Sequence, residues 1–380
     1  MQYYKINSND TKELFEKIGC DTTGSLIMSK KTNLNLLYIK DIHVGAANIL
    51  KQDALSIGAD FAVPMGTIIA REKYVDGVLI GSDKHFEILS KKELAQPFGL
   101  KQLAKDLSSF TNTKKFKTKI MGIINANDDS FYQDSRFTGS NAILKIEQMI
   151  SDGANIIDIG GVSSRPGSQT VSVDEELSRI KPICDEIKDK KLYKTVDFSI
   201  DSYEPQVIEY ALKSGFKIVN DITGLFNDEV ARLTSKYDAT VVIMHMQGTP
   251  KDMQEDPTYD DVMCEVDSFF KERIEKAKSF GIKDIILDVG IGFGKTLEHN
   301  LTLLKNMEHF RHFGYEVLIG ASRKSLIDKI VPSATCDRLA GTLAIHLNSI
   351  KKGASIVRVH DVKEHYQAIK LEESIDTLIV

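Results

Sequence analysis

From Lys119 onward, short apolar runs and helix-period stretches alternate eight times, and few folds accept that rhythm. The runs are Ile120–Ala126, Ile156–Gly161, Val196–Asp201, Ile218–Ile222, Thr240–Met246, Ile285–Asp288, Val317–Gly320 and Ile356–His360. Between them lie amphipathic segments such as Val207–Ser214, Val262–Phe280, Leu297–His309 and Asp337–Lys352. Near-continuous apolar strands are those buried on both faces, as in parallel sheets covered by helices. Consecutive β/α units over about 250 residues have the size of a closed (β/α)8 TIM barrel. A doubly wound open sheet is the alternative, but it needs a reversal of strand order that nothing in the chain signals.

Residues 1–115 have a different texture. They read as a strand at Leu34–Ile42, a helix at Val44–Ser56, short strands near Phe61–Pro64 and Val78–Ile80, and a short helix at Leu100–Leu107. The lysine-rich segment Ser108–Thr118 reads as a linker. A small α/β accessory domain over 1–115 is therefore expected ahead of a barrel over 116–380. It carries no metal, phosphate, nucleophile or acid-pair motif, its His43 and His85 are isolated, and no role is assigned to it.

Composition narrows the classes. A net charge of −5 gives no basic footprint for nucleic acid. No apolar run approaches the ~20 residues of a membrane span. The opening MQYYKINSNDTKE lacks the order of a signal peptide. Cys20, Cys184, Cys264 and Cys336 are scattered, as suits reduced thiols, and a cytoplasmic protein is expected.

Each barrel strand ends in side chains foreign to a core: Asn125; Ser163, Ser164 and Arg165; Asp201; Asn220 and Asp221; His245; Asp288; Ser322, Arg323 and Lys324; Arg358 and His360. In a barrel the carboxyl ends of the strands converge on one mouth, where active sites are built. One aspartate alone, Asp201 or Asp221 for instance, reads equally well as a helix cap, but eight polar strand ends together read as a binding or catalytic ring. The stretch Ile285–Lys295 adds a turn through Gly290, Gly292 and Gly294 that lets backbone approach a ligand. It is not a nucleotide P-loop, because Val289 stands where the first glycine would have to be.

Sorted by charge, Asp201, Asn220 and Asp288 suit a ligand edge rich in N–H donors, such as a guanidine-like heterocycle. Arg165, Lys324, Arg358 and His360 suit phosphate or pyrophosphate. Asn125 offers an oxygen to a hard cation such as Mg2+. No zinc spacing and no nucleophile elbow is present. Lys295 and Lys324 follow turns, whereas a Schiff-base lysine of a barrel aldolase usually sits within a strand.

The stretches IMGIINANDDSF, NIIDIGGVSSRPG, FSIDSYEPQVIEYALKSGFKIVNDITG, VVIMHMQGTP, IILDVGIGFGKT, GASRKSLI, DRLAGTLAIH and GASIVRVHDV resemble dihydropteroate synthase, in that family's order and spacing. The likeness spans about residues 117–371. It implies a transferase of folate biosynthesis, a target of sulfonamides. Such an enzyme joins p-aminobenzoate to 6-hydroxymethyl-7,8-dihydropterin pyrophosphate, with Mg2+, and forms a homodimer. It further implies that Asp201, Asn220, Asp288 and Lys324 bind the pterin, with Met244 packing near the ring. Asn125 would hold the metal, and Arg358, His360 and Arg165 the pyrophosphate. Ser164, Pro166, Phe293 and Ser322 would line the p-aminobenzoate pocket. Catalysis would fall to Asp201, Lys324, Arg358 and His360, and the loops Ala126–Phe137 and Val162–Gln169 would close over the substrates. A dissociative, SN1-like displacement is expected, in which Asp201→Asn harms turnover more than binding.

The chain departs from the family pattern at Asn127-Asp128, where Thr-Pro is usual, and at Val162, Ser164 and Val289, where Glu, Thr and Pro are usual. None removes a charge assigned above, although the lost proline leaves the first loop freer. Three rival readings fit the residues less well. A pterin-binding methyltransferase does not need the SSRPG loop or the paired Arg358 and His360. A non-catalytic pterin binder would be free to lose the ring charges that are kept. A second pathway step in the first domain finds no motif there to carry it.

Overall fold

The computed structural model describes residues 1–7, 10–126, 140–162, 171–249 and 252–378. It divides into two compact units: Met1–Lys114 with His312–Gly314 and Glu372–Val380, and Lys115–Arg311 with Tyr315–Leu371.

The first unit opens with α1 (Thr11–Lys17) and α2 (Thr22–Ser29), started by Asp10 and Asp21, whose carboxylates accept from the Glu13 and Gly24 amides. Then come β1 (Leu34–His43), α3 (Val44–Leu55), β2 (Asp60–Ala62), β3 (Tyr74–Ser82), α4 (Asp83–Lys92) and α5 (Leu100–Thr111). The strands form an antiparallel sheet in the order β1-β3-β2. One face packs Phe61 and Leu79 against Leu50, Phe86, Leu89 and Leu107. The helix after Gly99 runs on to Thr111, so the expected linker begins later than Ser108. Helices α1, α2 and α4 add to the elements expected from sequence. Each is short, and α4 is set by a capping box between Ser82 and His85 rather than by a long apolar stripe. The unit also holds an acid pair that no motif announced: Glu93 is fully buried, and burial together with Asp53 pushes its carboxyl up to about 7.

The second unit is the expected barrel. Its strands are β4 (Lys119–Asn125), β5 (Ile156–Gly160), β6 (Asp197–Asp201), β7 (Ile218–Asp221), β8 (Thr240–Met244), β9 (Ile285–Asp288), β10 (Glu316–Ile319) and β11 (Ile356–Val359). All pair in parallel and close as β10-β11-β4-β5-β6-β7-β8-β9, which excludes the open sheet. Each strand lies within two residues of its apolar run. The helices between them are α6 (Ser140–Ser151), α7 (Val173–Asp189), α8 (Pro205–Lys213), α9 (Asp228–Lys236), α10 (Val262–Ser279), α11 (Leu297–Lys305), α12 (Ser325–Ile330), α13 (Leu339–Lys351) and α14 (Val362–Asp376). One interior layer is filled by Met121, Ile156, Ile218, Val242, Ile286, Leu318 and Ile356, so the barrel is a packed core and not a pore.

Backbone geometry fixes the turn after β9. Gly290 and Gly294 take φ of +67° and +59°, and a Cβ on them would lie 1.9 Å from the His245 carbonyl and 2.3 Å from that of Gln247. Gly290→Ala is therefore expected to lower stability by about 2 kcal/mol or more, combining left-handed strain with a backbone clash. Gly314→Ala is the control, since Gly314 also has positive φ but nothing within 4 Å of an added Cβ. Equal losses of unfolding midpoint in the two variants would refute the close approach.

Candidate active site

A buried charge network joins the middle of β5 to the carboxyl ends of β6, β7 and β11. Arg358 donates from Nε to Asp158 Oδ2 and from Nη2 to Asp201 Oδ2, both at 2.6 Å. Asn220 Nδ2 donates to the same Asp158 oxygen at 3.1 Å. Asp158 is fully buried and Asn220 nearly so. Asp201 is thus a partner of Arg358 and not a helix cap, for the N-cap of α8 is Glu204. Asp221 is structural: its carboxylate accepts from the Thr223 amide and hydroxyl and from the Leu225 amide, shaping the loop after β7.

Burial pushes the Asp201 carboxyl up to about 7, with Asp158, Glu176 and Asp221 reinforcing it against the pull of Arg358. Burial likewise raises Asp288, while Lys324, the Gly290 amide and Arg358 pull it down. One Asp288 oxygen accepts from the Gly290 amide at 2.8 Å. Burial draws Lys324 down to about 8, opposed by Asp288. The guanidinium of Arg358 stays charged, because the two aspartates overcome its burial.

The turn after β9 carries the next wall. Lys324 Nζ donates to the Ile291 carbonyl and lies 4.5 Å from the centre of the Phe293 ring. The turn is held from behind by Lys295, which is almost wholly buried. Its Nζ donates to the carbonyls of Gly290, Phe293 and His245 at 3.0, 3.0 and 3.2 Å and lies 2.9 Å from His245 Nδ1. Burial pulls Lys295 down to about 7 and, with Lys295 beside it, His245 down to about 3. Lys295 and His245 are therefore spent on the turn. At the rim, Ser322 Oγ lies 2.9 Å from His360 Nδ1 and accepts from the His360 amide at 3.3 Å.

Asp201, Asn220, Asp288, Ser322, Lys324, Arg358 and His360 therefore stand at the ends of their strands, with Met244 buried at the end of β8 and Asn125 half-buried at the end of β4. Ser164, Arg165 and Pro166, with most of both expected closing loops, lie outside the described residues. The sequence reading missed Asp158, whose only signal is a carboxylate in the middle of an apolar strand. It also missed Glu176 on α7, buried and pushed by that burial up to about 7. The arrangement offers carboxylates and an amide to hydrogen-bond donors, next to cations suited to an anionic leaving group.

Residues 121–360 match the family model described as pterin binding enzyme. A bifunctional dihydropteroate synthase/dihydropteroate reductase of Helicobacter pylori is 42% identical over 373 residues, 98% of each chain. The dihydropteroate synthase of Escherichia coli K12 is 41% identical over 258 residues, 67% of this chain and 90% of that one. Among solved structures, the Yersinia pestis dihydropteroate synthase with a sulfonamide drug superposes with a TM-score of 0.65 at 36% identity, over 69% of this chain and 95% of that one. The Clostridium difficile enzyme in the presence of pteroic acid superposes with 0.62 at 41% identity, over 70% and 98%. By sequence and by fold alike, the chain belongs to the pterin-binding enzymes and, among them, to the dihydropteroate synthases.

Proposed function

We propose that the barrel mouth joins p-aminobenzoate to 6-hydroxymethyl-7,8-dihydropterin pyrophosphate, giving 7,8-dihydropteroate and pyrophosphate. The observation that carries this is the meeting of Asp158, Asp201 and Asn220 with Arg358 at one end of the barrel. A donor-rich pterin edge would take the acceptors Asp201, Asn220 and Asp288, with Met244 against the ring. Lys324 would add its charge beside Asp288. Arg358, His360 and Arg165 would hold the pyrophosphate. Ser322, Phe293, Ser164 and Pro166 would receive p-aminobenzoate.

An aromatic amine is already neutral at pH 7, so no strong base is needed to make it a nucleophile. The bond from the methylene carbon to oxygen breaks, its electron pair leaving with pyrophosphate. The amine nitrogen then bonds to that carbon and loses a proton. Charge builds on the leaving group and, in a dissociative displacement, on the pterin. The cations of this chain would serve the first and Asp201 the second.

Enzymes of this family depend on a metal ion. Asn125, with a hard amide oxygen half-buried at the end of β4, fits magnesium, which takes few protein ligands beside water and phosphate oxygens. Bound there, the ion would stabilise charge on the departing pyrophosphate. A homodimer in the cytoplasm completes the proposal, and the free state of Cys20, Cys184, Cys264 and Cys336 agrees with a reducing compartment. Among the described residues, no helix is long and apolar enough to cross a membrane.

A second activity is also proposed. The H. pylori relative, whose name includes dihydropteroate reductase, aligns through residues 1–115 as well as the barrel, whereas the E. coli enzyme covers only 67% of this chain. Purified protein is expected to oxidise reduced nicotinamide or reduced flavin when dihydropteroate is added. No consumption of either donor would remove this second assignment and leave the first intact.

Pyrophosphate release with Mg2+ and the dihydropterin pyrophosphate should require p-aminobenzoate. No turnover beside tight pterin binding would return the methyltransferase and non-catalytic readings. Asp201→Asn should cut kcat by about 100-fold while the dissociation constant for the pterin changes far less. Equal losses in both would count against a role in stabilising the pterin cation. The Asp201 carboxyl is held up to about 7, so its ionised fraction grows as pH rises through that value. In the wild type kcat/KM for the pterin substrate should therefore rise as pH passes about 7 and fall again above about 8, where Lys324 loses its proton. Persistence of the rising limb in Asp201→Asn would assign it to another group.

A further inference from the structure

Two bonded paths join the loop after β10 to the loop after β11, and neither touches the charge network of Arg358. The first is an ion pair. Arg323 donates from Nε to Asp361 Oδ2 at 2.9 Å and from Nη2 to Asp361 Oδ1 at 2.7 Å, a two-pronged fork. Its remaining Nη1 donates to the carbonyls of Thr335 and Cys336 at 3.0 and 2.7 Å, and its amide donates to Thr342 Oγ1 at 2.9 Å. Both charged side chains are close to fully buried, at 6% and 12% exposure. Arg323 adopts φ of +55°, a left-handed backbone that residues with a Cβ rarely take. It stands between Ser322 and Lys324, the two residues of this loop assigned to substrate.

The second path is a chain of histidines. The Ala321 amide donates to His346 Nε2 at 3.2 Å. His346 Nδ1 lies 2.9 Å from His365 Nε2, and His365 Nδ1 lies 2.6 Å from the Asp361 carbonyl. Directions follow from the ends. An amide can only donate and a carbonyl only accept, so His346 carries its proton on Nδ1 and passes a hydrogen bond to His365 Nε2. His365 carries its own on Nδ1. Both rings are buried, and burial lowers both below their ordinary range, which keeps them neutral as this chain of bonds requires.

We propose that Arg323 and Asp361, with His346 and His365 as the second strut, are positioning residues that lock the Ser322–Lys324 loop to the Arg358–His360 strand end. The two loops carry opposite halves of the reaction under the function proposed above, on which this inference rests: Ser322 beside p-aminobenzoate, His360 and Arg358 beside the leaving pyrophosphate. Ser322 and His360 meet directly at 2.9 Å, so a shift of either loop separates amine from leaving group. Displacement of a reacting group by about 1 Å costs on the order of 100-fold in rate. Of the pterin-holding residues, Asp201, Asn220 and Asp288 come from β6, β7 and β9, which neither strut touches, and only Lys324 stands on a braced loop.

Asp361→Asn removes the charge of the fork and keeps its shape. Hydrogen exchange of the full chain should quicken in peptides spanning Ala321–Lys324 and Arg358–Asp361 and stay unchanged on β6, β7 and β9. In turnover, kcat/KM for p-aminobenzoate should fall by about tenfold or more. The dissociation constant for 6-hydroxymethylpterin should move by less than about threefold. Unchanged exchange at both loops overturns the brace, as does faster exchange spread over the whole barrel, or pterin affinity lost in step with turnover. Should Asp361→Asn fail to fold, Arg323→Lys, which keeps the charge but cannot form the fork, is judged by the same split. Absence of p-aminobenzoate-dependent turnover in the wild type would refute the function and leave exchange to judge the brace.

Discussion

The site depends on one guanidinium shared by two carboxylates. Arg358 reaches Asp158 and Asp201 across 200 and 157 residues of chain, bonding the last barrel strand to the second and third. Charges taken out of water are tolerable only when paired and hydrogen-bonded, and removing one partner leaves the other stranded. Burial holds the Asp201 carboxyl up to about 7, and two carboxylates on one cation leave surplus negative charge that reinforces it. Under the proposed function, a ligand bearing N–H donors would relieve that surplus and a pyrophosphate would compete for the same arginine. The two halves of the substrate would then act on a single network from opposite sides, linking pterin recognition to stabilisation of the leaving group.

Barrel closure makes such a network possible. Parallel strands deliver their carboxyl ends to one rim, and the packed layer through Met121, Val242 and Leu318 stops the site from opening into a pore. Charges placed above that layer are shielded from water on one side, so small displacements matter more than at a surface. Two bonded struts across the β10 and β11 loops fit this need for rigidity. A left-handed Arg323 turns its own side chain toward Asp361, while its neighbours Ser322 and Lys324 turn to His360 and to the Ile291 carbonyl.

Legibility from sequence followed range. Apolar period located every barrel strand to within two residues, because period is a local property. Polar strand ends were legible as a ring because the fold places all strand ends together. Which ring members face ligand was not legible. Asp221 shapes its own loop and His245 meets Lys295, and both look like ring residues until partners are known. Asp158 was hidden in the opposite way, as an acid inside the run NIIDIGG whose partners lie 62 and 200 residues away. The histidines of the second strut stand on α13 and α14 and carry no spacing that announces a pair. In the first unit, Glu93 beside Asp53 is likewise a product of packing.

Lys295 and Lys324 illustrate how far residue type alone underdetermines role. Both follow turns, both are depressed by burial, and both could be read as phosphate ligands or Schiff-base amines. Lys295 has its ammonium enclosed by three carbonyls and an imidazole nitrogen, which uses its donors up and leaves none for a substrate. It is a cross-link made of charge, bonding a glycine turn that has few side chains of its own to pack. The same turn is tied from outside by Asn300 to the Gly292 amide, by Gln254 to the Gly292 carbonyl and by Tyr259 to the Gly294 carbonyl. Lys324 instead lies across the finished turn, against Phe293, with its charge toward Asp288. Rigidity of the first lysine's cage thus sets the geometry in which the second can act, and glycine is required in the turn because backbone oxygens of the neighbouring loop occupy the space a side chain would need.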